Sequence, residues 1–301
     1  MVLLVAAALI VVAGVAGYLV VRRWPKADPA LSASEAIGAT VRSHPRPRSF
    51  LRSRLDPATA TGLALTAALI GIVVSGAAVG LFAWMIRRDR GVVTVDLAVE
   101  RWAEAHATAF TDGVLGALTH LGDTATIVGV AIAIGAFGLW RWRRPAVPLF
   151  LLSVVLGQML ISNTIKAVID RARPELRPRA EFTGTSFPSG HTTAATATYL
   201  AVALVLAIGS SPRARAALAG AALAIGVAVG CTRVLLGVHF FSDALAGFAI
   251  GLSWFGLCAV AFGGRLLSFG APAQVAASPI PRPSPVSPRV GAPGRDPRGG
   301  A

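Results

Sequence analysis

The sequence predicts an all-α integral membrane protein, a six-helix transmembrane core preceded by an extra N-terminal transmembrane helix. Of its 301 residues 54% are hydrophobic and only 14% are charged, against about 25% charged in an ordinary soluble domain. The apolar residues gather into seven runs, at about 2–21, 62–86, 124–140, 146–165, 193–209, 215–232 and 244–263. Most of these approach the roughly 20 residues that carry a helix across a bilayer. Gly, Ala and Ser recur inside the runs, which suits close helix packing in lipid.

The first run, 1–21, has no basic stretch ahead of it, and Arg22-Arg23 follow it, so it reads as an uncleaved anchor rather than a signal peptide. A basic linker, 22–59, carries Lys26, Arg42, Arg46, Arg48, Arg52 and Arg54. The core then extends over 60–263, and the tail, 264–301, is rich in Pro, Gly and Arg and is expected to be disordered. Seven crossings put the basic stretches 22–57, 141–144 and 210–214 on one side, which the distribution of Lys and Arg assigns to the cytoplasm. Arg87, Arg88 and Arg90 fall on the other side and run against the rule. The connector 87–123 mixes Asp96, Glu100, Glu104 and Asp112 with Val95, Val99, Trp102 and Phe110. It reads either as an amphipathic helix on the outer interface or as a solvated connector.

The net charge of +14 raises nucleic-acid binding, but the basic residues lie between apolar runs, where they anchor the chain to anionic lipid. The expected partners are therefore the bilayer and a lipid, with no nucleic acid. Cys231 and Cys258 lie in or beside apolar runs without metal-like neighbours, so neither a disulfide framework nor a zinc site is expected.

Three polar clusters stand at membrane ends, all on the outer side of this topology, where ionisable groups are costly and become functional candidates. The first is Lys166 with Arg173-Pro174. If the helix continues, seven residues put both cations on one face, about 10 Å apart along the axis, and Pro174 predicts a turn at Arg173. Two such cations can clamp an anion; flanking positive charge is the plainer reading. The second is Pro188-Ser189-Gly190-His191 ahead of an apolar helix. Ser189 suits an N-cap, Gly190 allows close backbone approach, and the free N–H groups and dipole of the helix start favour an anion. An ordinary cap with an exposed His would look the same. The third is Arg233, His239 and Asp243. On a helix His239 and Asp243 share a face at i,i+4, and a carboxylate on one ring nitrogen raises the basicity of the other. A buried His satisfied by an Asp is the structural alternative.

Together these groups supply cations and N–H donors for phosphoryl oxygens, a nucleophile, and an acid for the leaving oxygen. Asp170, Glu175, Glu181 and Asp243 are too few for a magnesium site, so no metal and no cofactor are expected.

Lys166-x6-Arg173-Pro174, Pro188-Ser189-Gly190-His191 and Arg233-x5-His239-x3-Asp243 resemble the signature of the type 2 phosphatidic acid phosphatase superfamily. The third motif of that family begins Ser-Arg, whereas this chain has Thr232-Arg233, which keeps a hydroxyl. The resemblance implies that His239 attacks phosphorus and forms a phosphohistidine, with Asp243 orienting it. It implies that His191 protonates the leaving oxygen and later activates water. Lys166, Arg173, Arg233, Ser189 and the Gly190 amide would hold the phosphate, without a metal. The expected activity is hydrolysis of a lipid phosphate monoester or diphosphate. An outward-facing site points to a polyprenyl diphosphate such as undecaprenyl diphosphate from cell-wall assembly. Phosphatidylglycerol phosphate or phosphatidic acid hydrolysis, lipid phosphotransfer, and phosphate-lipid carriage without hydrolysis are the alternatives.

Overall fold

The computed structural model describes residues 1–23, 61–143, 145–175, 180 and 184–267. The greater parts of the expected linker and tail lie outside the described residues. Within them the chain is helical, in the order α1 (Val2–Arg23), α2 (Thr61–Arg87), α3 (Val92–Ala105), α4 (Ala109–Thr119), a 3₁₀ turn (His120–Gly122), α5 (Thr124–Trp142), α6 (Ala146–Ile169), α7 (Gly190–Leu206), α8 (Pro212–Leu235) and α9 (Phe241–Leu267). No strand occurs among the described residues. Helices α1, α5, α6, α8 and α9 each contain a stretch long and apolar enough to cross a membrane, and Val73–Arg87 of α2 and all of α7 are shorter apolar helices.

Each predicted run falls on a helix. The fifth is displaced: α7 ends at Leu206, three residues short of the expected end, and begins at Gly190. Ser189 accepts from the Thr192 N–H and so sets the start, while Gly209, with φ 75°, turns the chain beyond the far end.

Bilayer solvent explains which faces are apolar outward. In α6, Val147, Phe150, Leu151, Val154 and Val155 are buried, while Leu149, Leu152, Leu156 and Leu160 of the same helix are exposed. An all-round apolar helix with one face packed and the other bare suits lipid contact. The packed faces meet through small residues. A Cβ on Gly220 of α8 would stand 2.5 Å from the Gly14 carbonyl oxygen of α1, so the N-terminal helix lies backbone to backbone on the core. The start of α1 also joins Val2 and Ala6 to Leu235, Leu236 and Val238 at the end of α8. Trp254 of α9 donates its indole N–H to Ser153 and Val154 carbonyls of α6, at 3.2 and 3.1 Å.

Two expectations are corrected. The connector 87–123 holds two helices, but its acids do not all face solvent: Asp96 is 0% and Glu100 8% exposed, because α3 packs over the ends of α8 and α9. The turn after α6 comes at Asp170, in the left-handed region with φ 46°, and not at Arg173. Asp tolerates that conformation, so the helix stops before Pro174 can dictate its end and Lys166 and Arg173 do not share a helical face. The anomalous Arg87 has a local role: its guanidinium donates to the Val168 carbonyl at 3.0 Å, satisfying the C-terminal end of α6.

Candidate active site

The C-terminal end of α6, the N-terminal ends of α5, α7 and α9, and the C-terminal end of α8 converge, and all eight predicted site residues lie there or in the loops between. Thr185 ties the first motif together. Its carbonyl accepts from Lys166 Nζ at 2.6 Å and from Arg173 Nη2 at 3.3 Å, so both cations meet on one oxygen. Arg173 is held further by the carbonyls of Gly184 (2.9 Å) and Val238 (2.7 Å), and its Nη1 lies 3.2 Å from His239 Nε2.

His239 stands in the turn between α8 and α9, ahead of the first helical residue Phe241. The i,i+4 pair is therefore loop to helix, not two residues of one helix as expected. Gly237, with φ 69°, reverses the chain after α8, and the Val238 and His239 N–H groups both return to the Arg233 carbonyl at 3.2 Å. Nδ1 of His239 lies 3.5 Å from Asp243 Oδ2, an ion-pair distance that is long for a hydrogen bond. Neither it nor Arg233 Nε has a hydrogen-bond partner among the described residues. Burial pushes the His239 imidazole down to about 4; Asp243 opposes this, and the charges of Arg173 and Arg233 add to it.

Asp243 is 0% exposed and its carboxylate is fully engaged. It accepts from Ser186 Oγ, from the Phe240 N–H at 2.9 Å, and from Arg171 Nη1 at 2.6 Å. Arg171 in turn donates to Asp96 Oδ2 at 2.8 Å and to Ser242 Oγ at 2.9 Å, and its guanidinium stacks 4.0 Å from the Phe240 ring centroid. Asp96 also accepts from the Ser242 N–H (2.8 Å) and Oγ (2.6 Å). This network, from α3 to α9, was not foreseen from sequence. Arg171 stands two residues before Arg173, yet it points into the protein.

At the start of α7, Ser189 caps the helix and Thr192 Oγ1 donates to its hydroxyl at 2.8 Å. A Cβ on Gly190 would meet only Lys166 Cε, at 3.9 Å, so the helix start faces the first-motif lysine. His191 Nε2 lies 3.0 Å from Asp123 Oδ1, a partner that sequence reasoning missed, and Asp123 Oδ2 lies 2.7 Å from His120 Nδ1. Burial acts to raise the Asp123 carboxyl, but the hydrogen bonds and charges of the two histidines outweigh it and hold the group below its usual range. Arg233, buried, donates to Thr119 Oγ1 at 3.0 Å. Thr232, the departure from the family motif, turns its hydroxyl to the Val229 carbonyl at 2.7 Å and takes no part in the site. No group of three or more His, Cys, Asp or Glu is placed to hold a metal among the described residues.

A buried imidazole with a carboxylate 3.5 Å from one nitrogen and a guanidinium 3.2 Å from the other, near a carbonyl on which Lys166 and Arg173 meet, is suited to phosphoryl chemistry. Residues 147–266, which contain all eight predicted site residues, match the family model described as the PAP2 superfamily. Phosphatidylglycerophosphatase B of Bacillus subtilis (strain 168) is 33% identical over 169 residues, spanning 54% of this chain and 81% of that protein. A lipid A 1-phosphatase of Rhizobium johnstonii is 37% identical over 163 residues, 46% of this chain and 63% of that protein. The crystal structure of a transmembrane PAP2 type phosphatidylglycerolphosphate phosphatase from Bacillus subtilis superposes with a TM-score of 0.55 at 29% identity, covering 62% of this chain and 94% of that one. On these matches, with the three motifs gathered at one end of the bundle, the chain belongs to the PAP2 superfamily.

Proposed function

We propose that the protein is a metal-independent lipid phosphatase that works through a phosphohistidine on His239. The observation that supports this most is the placement of the two His239 nitrogens. Nδ1 faces Asp243 at 3.5 Å and Nε2 faces Arg173 at 3.2 Å. With the proton on Nδ1, the Nε2 lone pair is directed to the side where the cations would hold a phosphate. Nε2 bonds to phosphorus as the bond to the lipid oxygen breaks, and His191 gives that oxygen its proton. Water then displaces Nε2, giving its proton to His191. Lys166, Arg173, Arg233 and the Ser189-Gly190 helix start neutralise the phosphoryl oxygens.

The substrate reading rests on topology. The basic stretches 22–57, 141–144 and 210–214 support a site at the outer surface, where a polyprenyl diphosphate from polymer assembly is the simplest lipid left to hydrolyse. The resemblance to phosphatidylglycerophosphatase B favours phosphatidylglycerol phosphate as the second reading. Purified enzyme given a panel of polyprenyl diphosphate, phosphatidylglycerol phosphate and phosphatidic acid should release free phosphate, fastest from the first. Release from none of them would contradict a phosphatase. Glu181→Cys and Arg143→Cys, each with Cys231 and Cys258 replaced, test the side: an impermeant thiol reagent on intact cells should label the first only. Labelling of the second only inverts the topology and removes the case for a polyprenyl lipid.

A further inference from the structure

We propose that Asp123, braced by His120, is a positioning residue for the leaving-group acid His191, a counterpart to Asp243 beside His239. The inference rests on the reading of His191 given above. Asp123 occupies the N-cap position of α5, where an Asp ordinarily accepts from the second or third helical N–H. Here it makes no such bond. Its two oxygens go instead to His191 Nε2 at 3.0 Å and to His120 Nδ1 at 2.7 Å.

The surrounding contacts hold that arrangement. Tyr199 of α7, the helix that carries His191, donates its hydroxyl to the Leu121 carbonyl at 3.0 Å. A Cβ on Gly122 would stand 2.7 Å from Val229 Cγ1 and 3.0 Å from His191 Cβ, so only glycine lets the turn approach the imidazole this closely. The same turn begins at Thr119, which binds Arg233. Residues 119–123 thus touch a phosphate-binding cation and the acid in one short stretch. Asp123 on Nε2 orients the ring, stabilises its protonated form, and leaves Nδ1–H for the leaving oxygen. When the lipid–phosphate bond breaks, that proton passes to the departing oxygen and the imidazole becomes neutral beside the carboxylate. In the second half of the cycle the water's proton restores the imidazolium.

A residue that acts through the acid matters in proportion to how badly the leaving oxygen needs a proton. The test compares kcat/KM, which reports the steps up to phosphoenzyme formation, for a lipid phosphate with an alkoxide leaving group and for para-nitrophenyl phosphate, whose phenolate leaves unaided. Asp123→Asn should lower kcat/KM on the lipid at least about 10-fold, a fraction of the roughly 10²–10⁴-fold that acid–base catalysis supplies, and change it less than about 3-fold on the nitrophenyl ester. Asp123→Ser, which keeps an N-cap group for α5, should show the same split and gives the answer if the Asn variant does not fold. His191→Ala is the control for the parent reading and should show a larger split. If His191→Ala loses both substrates equally, the role of His191 fails. If His191→Ala shows the split but the Asp123 variants lose both substrates equally, or neither, the proposal for Asp123 is overturned alone.

Discussion

Replacing Asp96 with alanine is expected to destabilise the protein by about 3–5 kcal/mol, although the residue lies far from the three motifs in sequence. Asp96 is 0% and Arg171 9% exposed, and their contact is 2.8 Å. Removing one member of a buried ion pair costs about 3–5 kcal/mol because the other charge is left uncompensated. Two effects modify the figure. Arg171 keeps Asp243 and Ser242 as partners, which lowers it. The buried Ser242 N–H loses its acceptor, which adds about 1–3 kcal/mol. At roughly 2–4 °C per kcal/mol for a chain of this size class, the midpoint of thermal unfolding in detergent should fall by roughly 6–20 °C. Arg171→Met should cost more than Asp96→Ala, because it leaves Asp96 and Asp243, both 0% exposed, without the cation between them. A midpoint for Asp96→Ala within about 2 °C of the parent, or a milder effect for Arg171→Met, would refute this reasoning.

Asp243→Asn should cost both rate and stability, since it weakens the hold on His239 and the pairing with Arg171 together; slow turnover at full thermal stability would contradict the network. The acid limb of kcat/KM is expected nearer pH 4 than the ordinary histidine value, because burial holds His239 as the free base down to about 4; a limb at pH 6.5 or above would show a solvated nucleophile. The stability contribution has the same sign. The native pKa lies below the unfolded one, so between about pH 6.5 and 4 the unfolded chain binds a proton that native His239 does not, and stability falls as pH drops through that window. On the proposed reading, in which Lys166, Arg173, Arg233 and the α7 start would meet the phosphoryl charge, chelation with EDTA should leave activity intact and vanadate should inhibit; loss in EDTA restored by magnesium would overturn the metal-independent reading.

The parts of the fold that were legible in the sequence are those set by the solvent. A bilayer demands long apolar runs, so the spans could be read directly, and the three motifs could be read because each puts charge where charge is expensive. What escaped was pairing. Asp96 looked like one acid among several in a mixed connector, and its partners Arg171 and Ser242 lie 75 and 146 residues away. Nothing local in the sequence singles out Asp123, just ahead of the apolar run from 124, as the partner of two histidines. Arg171 lies inside the Lys166–Arg173 stretch, where a helix continuing towards Arg173 gives it no distinct direction. The left-handed Asp170 ends it earlier and sends Arg171 inward to Asp243 while Arg173 reaches His239. Spacing ranks which residue types can do chemistry; the direction in which each side chain leaves a turn depends on backbone angles that spacing does not encode.

The most direct test of the whole account is to trap the intermediate. Enzyme mixed with a lipid phosphate and quenched in alkali should carry acid-labile, base-stable phosphate, which peptide mapping by mass spectrometry should locate on His239. His239→Ala should carry none and turn over no substrate, because no covalent intermediate can form without that nitrogen. Near-normal turnover by His239→Ala, or phosphate trapped on a different residue, would contradict the mechanism.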